Sequence, residues 1–102
     1  MFIAMNRFRI ALGKEEGFEE LWRQRDSYLE GVDGFVEFRL LRGDTTEECT
    51  LFASHTIWSS KAAFEAWTSS DAFRLAHSQA KAPEGTYLGH PVFEGFEVVL
   101  ER

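Results

Sequence analysis

The sequence predicts an α+β fold on one antiparallel sheet. Three observations carry this: stretches that alternate apolar and polar residues, intervening stretches at helical spacing, and a short connection between the second and third strands.

Residues 2–12, FIAMNRFRIAL, put Phe2, Ala4, Phe8, Ile10 and Leu12 on one face and Arg7 and Arg9 on the other. This is the pattern of a half-buried strand. Asn6 is its exception, an amide on the apolar face. Residues 15–30 read as a helix with Phe18, Leu21, Trp22, Arg25 and Leu29 along its stripe. Glu15 and Glu16 suit its first turn because the helix dipole is positive there. GVDG at 31–34 ends it.

A second strand spans 35–42, GDTTEE turns the chain, and a third strand spans 49–58. The two should pair as an antiparallel hairpin. SSKAAFEAW then starts a short helix with Ser59 or Ser60 as its cap, and SSDAFRLAHSQA restarts it with a second Ser/Asp cap. Residues 81–91 form a Gly/Pro-containing loop, long enough to border a site. The last strand, 92–100, places Val92, Phe96, Val98 and Leu100 on one face.

The order β-α-β-β-α-β is the ferredoxin-like pattern, here with a broken second helix. Helices cover one face of such a sheet. The other apolar face needs a cover, and the sheet of a second copy would supply one. A homodimer is therefore expected.

Bulk properties narrow the function. The 102 residues fit a single domain, residues 1–102. Such a domain buries roughly 65% of its unfolded surface, so an enclosed ligand of any size calls for a second subunit to complete the walls. A net charge of −6, without a basic run, argues against nucleic-acid binding, which needs a positive face. Cys49 is the only cysteine, which excludes a disulfide framework and a cysteine-based zinc site. A lone thiol suits a reducing cytoplasm. The chain lacks the run of about 18 apolar residues that a membrane span needs. Its start alternates, so no export signal is expected.

Three residues do not fit a plain core. Phe73, Ala76, His77 and Ala80 share one helical face, so an imidazole stands where burial is expected. Two readings fit: a core histidine bonded to backbone, or a ligand. One histidine cannot hold a bare zinc ion, but it suffices when a metal arrives inside a porphyrin. Asn6 is either a tie for a neighbouring loop or a donor aimed at a ligand. Trp67, paired with Phe64 at i, i+3, is either core or the wall of a flat pocket. His55, on the Leu51/Ala53/Ile57 face, reads as structural, and His90 as an exposed loop residue.

The stretch WSSKAAFEAWTSSDAFRLAH at 58–77, with Asn6 and the DGF at 33–35, resembles the IsdG-type heme-degrading monooxygenases of the antibiotic biosynthesis monooxygenase (ABM) superfamily. The likeness covers nearly the whole chain. It implies a dimeric α+β barrel and an enzyme for which heme is both substrate and cofactor, with dioxygen and an external electron donor from an unidentified reductase. By the resemblance, His77 is the proximal metal ligand. Asn6 is a distal hydrogen-bond donor to bound oxygen, and Trp67 packs on the porphyrin and forces it out of plane. Trp22 is implied as pocket wall and Phe73 as a neighbour of His77. Arg25 reads either as a propionate partner or as a solvated stripe-edge arginine. The competing readings are a cofactor-free ABM monooxygenase acting on a small aromatic substrate, a heme-binding protein without turnover, and a structural dimer with a vestigial pocket.

Overall fold

The structure is a computed structural model that describes residues 1–25, 27–78 and 82–102. Its elements are β1 (Phe2–Ile10), α1 (Glu15–Gln24), β2 (Phe35–Thr45), β3 (Thr50–Trp58), α2 (Lys61–Thr68), α3 (Asp71–Ser78) and β4 (Val92–Glu97). The strands form one sheet in the order β2-β3-β1-β4, and every neighbouring pair is antiparallel. The ferredoxin-like order holds, with the second helix divided into α2 and α3.

Register explains where the core lies. Phe2 pairs with Trp58, Ala4 with Thr56, Asn6 with Ser54 and Phe8 with Phe52. Directly opposed residues share a face, so β1 and β3 present large, small, small and large rungs to the helices. The core splits accordingly into two clusters. One gathers Phe2, Ala4, Leu29, Trp58 and Trp67; the other gathers Phe8, Ile10, Phe18 and Phe52. The small rungs between them are left as the floor of a cleft.

Local chemistry fixes the helices. One oxygen of Glu15 accepts from the Gly13 N–H at 2.8 Å and the other from the Thr50 hydroxyl at 2.7 Å, which ties the start of α1 to β3. Phe18 is fully buried and meets Phe52 edge-on at 5.0 Å. Burying one such ring contributes about 1.5–3 kcal/mol. Ser60 caps α2 by accepting from the Ala63 N–H at 3.1 Å. Ser70 Oγ accepts from the Phe73 N–H at 3.2 Å and donates to the Trp67 carbonyl at 2.6 Å, so one hydroxyl closes α2 and opens α3. At Gly34 (φ +82°) a Cβ would stand 2.4 Å from the Ala63 Cβ, so α2 can lie this close only over a glycine.

Several predicted boundaries move. The first helix stops at Gln24, not at 30: Arg25 is extended (φ −76°, ψ 135°) and Tyr28 takes φ +56°. Geometry explains this. A helix from Phe18 to Leu29 spans about 16 Å, whereas the six-residue step from Phe8 to Phe2 along β1 spans about 20 Å. Only a partly extended chain anchors Phe18 in one cluster and Leu29 in the other. β1 ends at Ile10 and leaves Leu12 exposed; β2 continues to Thr45; β3 begins at Thr50. β4 ends at Glu97, and Val99 and Leu100 are exposed. Ala80, expected on the α3 stripe, and Lys81, the first residue of the predicted loop, lie outside the described residues, as does Asp26 of the predicted first helix.

The other sheet face carries Met5, Leu41, Leu51, Ala53, His55, Ile57 and, from β4, Val92 and Phe96. Leu41, Val92 and Phe96 are exposed. Arg7 pairs with Glu94 and Arg39 with Glu37 across this surface. His55 lies on the face predicted for it, its Nδ1 buried without a hydrogen-bond partner. No helix among the described residues is long and apolar enough to cross a membrane.

Candidate functional site

The cleft over the small rungs has two adjoining lobes. One, of about 250 Å³, has a floor of Ala4, Asn6, Ser54 and Thr56, with Trp67, Phe73, His77, Phe64 and Phe93 around it. The other, of about 190 Å³, lies toward Phe8, Tyr87 and Pro91. Asn6, Trp22, Arg25, Ser54 and His77 line both. Together they reach the range usual for small-molecule sites, about 300–1,000 Å³. The shape is wide, with aromatic walls and a polar floor.

His77 is exposed, so it is not a core residue; Ala76 beside it takes the buried position. Its Nδ1 lies 2.9 Å from the Phe73 carbonyl. A carbonyl only accepts, so Nδ1 carries the proton and donates. The lone pair then sits on Nε2, the nitrogen left for a ligand. The Phe73 ring packs on the imidazole at 4.0 Å between centroids. The helical backbone and this ring together fix the direction of the imidazole, as a metal-binding histidine requires.

The other predicted residues converge on the same cleft. Asn6 is half-buried in mid-strand on the cleft floor. Trp67 is buried, stacks on Trp58 at 6.2 Å and meets Phe73 edge-on at 5.6 Å. Trp22 stacks on Phe38 at 5.4 Å. The Arg25 guanidinium lies 4.2 Å from the Trp22 ring centroid, and its Nε is buried without a partner. Burial lowers the Arg25 pKa, an effect partly offset by Tyr87. Arg25 is not on the helical stripe where the sequence placed it. It caps α1, its N–H donating to the Leu21 carbonyl, and the extended backbone there carries the side chain over Trp22. His90 is exposed, and neither it nor His55 lines the cleft.

Sequence reasoning missed Tyr87, Ser54, Thr56 and Phe93 as lining residues. Ser54 and Thr56 left a signal: two polar residues in line between Phe52 and Trp58. Tyr87 lies in the 81–91 loop expected to border a site, but nothing singled it out within that loop, because a single backbone bridge to Ile10 places it.

Chemically, the cleft offers one free imidazole nitrogen, an amide, a half-buried cation and flat aromatic walls. No cluster of three or more His, Cys, Asp or Glu side chains able to hold a metal ion exists among the described residues. One imidazole beside aromatic walls fits a metal delivered inside a porphyrin rather than a bare ion.

A family model for antibiotic biosynthesis monooxygenases matches residues 1–79. The chain belongs to the antibiotic biosynthesis monooxygenase family. Among relatives in sequence, a heme-degrading monooxygenase of Halalkalibacterium halodurans is 32% identical over 102 residues, covering 100% of this chain and 85% of that protein. Heme oxygenase (staphylobilin-producing) 1 of Staphylococcus aureus is 31% identical over 83 residues, covering 79% of this chain and 75% of that protein. The structure of the heme degrader MhuD from Mycobacterium tuberculosis, with two hemes bound in its active site, matches with a TM-score of 0.77 and 28% identity, covering 100% of this chain and 99% of that one. This ABM chain thus shares its fold with a heme degrader whose structure holds heme.

Proposed function

We infer that this chain is a heme-degrading monooxygenase: it binds heme, opens the porphyrin with dioxygen and external electrons, and releases the iron. The observation that carries this reading is the state of His77, whose Nδ1 is committed to Phe73 and whose Nε2 has no partner among the described residues, on a ring lining both lobes. Heme supplies the redox chemistry that activates oxygen at its own ring.

The chain's residues position and insulate. His77 Nε2 would ligate the iron, and the Phe73 carbonyl, accepting from Nδ1–H, holds the imidazole in orientation. The Asn6 amide donates a hydrogen bond where negative charge grows on the oxygen side. Trp67, backed by Trp58, would pack on the macrocycle, where distortion is one of a protein's levers on heme electronics. Trp22 closes the opposite wall. Arg25 meets a propionate, because a guanidinium matches a carboxylate in shape and charge.

The working unit in this reading is a homodimer joined through the outer sheet face, where Leu41, Val92 and Phe96 stand exposed. The electrons come from a separate reductase, and the compartment is the cytoplasm.

The test is aerobic turnover. The protein is reconstituted with hemin and given ascorbate in air. Loss of the Soret band, with a linear tetrapyrrole in the mass spectrum and free ferrous iron, is expected. A stable heme spectrum would make the protein a carrier, and no uptake would favour a cofactor-free oxygenase.

A further inference from the structure

The second lobe of the cleft holds a pair of groups that the reading above leaves half used. Arg7, Arg9, Arg23, Arg39, Arg42 and Arg74 each have a carboxylate within ion-pair distance. Arg25 and the terminal Arg102 have none among the described residues. Arg25 is also half-buried, with Nε shut away from water. A guanidinium so placed costs free energy until an anion reaches it.

Tyr87 stands beside it for a structural reason. Past the last β4 pairing, the chain at 86–88 adds a short rung to the end of β1: the Ala11 N–H donates to the Thr86 carbonyl at 2.9 Å and the Leu88 N–H to the Arg9 carbonyl at 2.8 Å. Tyr87 bridges Ile10 and so shares the helix-covered face. Its ring is wedged against Phe8 at 6.0 Å and edge-on to Phe18 at 5.7 Å. Only the phenol end is left to face the lobe. Burial raises the phenol's pKa, an effect partly offset by the Arg25 charge, so at neutral pH the hydroxyl keeps its proton and can donate.

Two donors and one positive charge at the rim of a flat cleft call for a carboxylate. We propose that Tyr87 and Arg25 jointly bind one propionate of the tetrapyrrole and thereby fix its in-plane orientation, making Tyr87 a specificity-determining residue. The proposal rests on the heme reading above. His77 alone would leave a bound macrocycle free to rotate about the axis of its bond to the metal. A second anchor at the rim removes that freedom and selects which meso carbon lies under Asn6.

The experiment compares hemin with hemin dimethyl ester, in matched detergent, for wild type, Tyr87→Phe, Arg25→Gln and the double variant. Tyr87→Phe keeps the wedged ring and deletes only the hydroxyl. Its affinity for hemin should fall about tenfold, the size of a hydrogen bond to a charged group, and its affinity for the diester should stay unchanged. In the Arg25→Gln background the same deletion should cost less, because the two donors act on one carboxylate. Turnover by Tyr87→Phe should yield a broader mixture of linear tetrapyrrole isomers. Equal weakening for diacid and diester, or no weakening for either, overturns the proposal while leaving the heme reading intact. Failure of the wild type to bind hemin overturns both.

Discussion

The two aromatic clusters on the helix side of the sheet use the same kinds of residue to different ends. Around Phe18 the rings close on one another: Phe8, Phe52 and Tyr87 lie 5.0–5.7 Å from it. Around Trp67 the packing is one-sided. Trp58 is fully buried behind it and Phe73 stands edge-on, and the indole also lines the cleft. The first cluster stabilises the fold; the second lends a rigid wall to a ligand. What separates them is two rungs of small side chains, Ala4–Thr56 and Asn6–Ser54.

This contrast can be broken in order of expected effect. Phe18→Ala should cost about 3–5 kcal/mol in a denaturant melt, with an unaltered Soret maximum in the protein that stays folded. A loss below about 1 kcal/mol would mean the first cluster is not closed. Asn6→Ala should leave stability within about 1 kcal/mol but slow single-turnover heme loss about a hundredfold or more, the usual cost of deleting one donor at a developing negative charge. Turnover equal to wild type would reduce Asn6 to a passive floor residue. Trp67→Phe should cost about 1–2 kcal/mol and flatten the bound porphyrin, read from its resonance Raman marker bands. Unchanged markers would show that the indole only packs.

The smallest effect concerns the tie between α1 and β3. The Thr50 hydroxyl, with backbone N–H groups, holds the Glu15 carboxyl below its ordinary 4.5. A depressed folded pKa gives stability that is present above the unfolded value and lost as pH falls through the folded one. Glu15→Gln should therefore lower the melting temperature slightly at pH 7, and the gap should close below about pH 4.5. A gap independent of pH would assign the effect to shape rather than charge.

Much of this was legible from the order of residues. Period-two alternation found β1 because its helix-side face is buried, and it flagged Asn6 because an amide breaks the rule; β4 carries a similar apolar pattern although most of its residues are exposed. The caps were visible from their position before helical spacing as Ser59 or Ser60 and a second Ser/Asp group; the structure gives the roles to Ser60 and Ser70. Spacing misled where two paths satisfy it: Arg25 and Leu29 sit at helical intervals from Phe18, yet the helix ends at Gln24, Arg25 is extended and Tyr28 takes a positive φ before Leu29. Reading β4 to residue 100 failed because Val99 and Leu100 look like strand residues whether or not a neighbour pairs with them. At the site, His77, Asn6, Trp67, Trp22, Arg25 and Phe73 all line one cleft. Arg25 reaches the Trp22 ring, three residues back, only because the chain leaves the helix at Arg25; that Tyr87 lines the same lobe depends on a bridge to Ile10, distant in sequence.

The account turns on the free nitrogen of His77. A hemin titration of wild type against His77→Ala, followed through the Soret band, tests it most directly. Removing groups that merely orient such a ligand weakens metal binding about 10–100-fold. Deleting the ligand itself should weaken hemin binding by about a hundredfold or more and move the Soret maximum away from that of an imidazole-ligated heme. An alanine variant with the wild-type maximum and the wild-type dissociation constant would contradict the account.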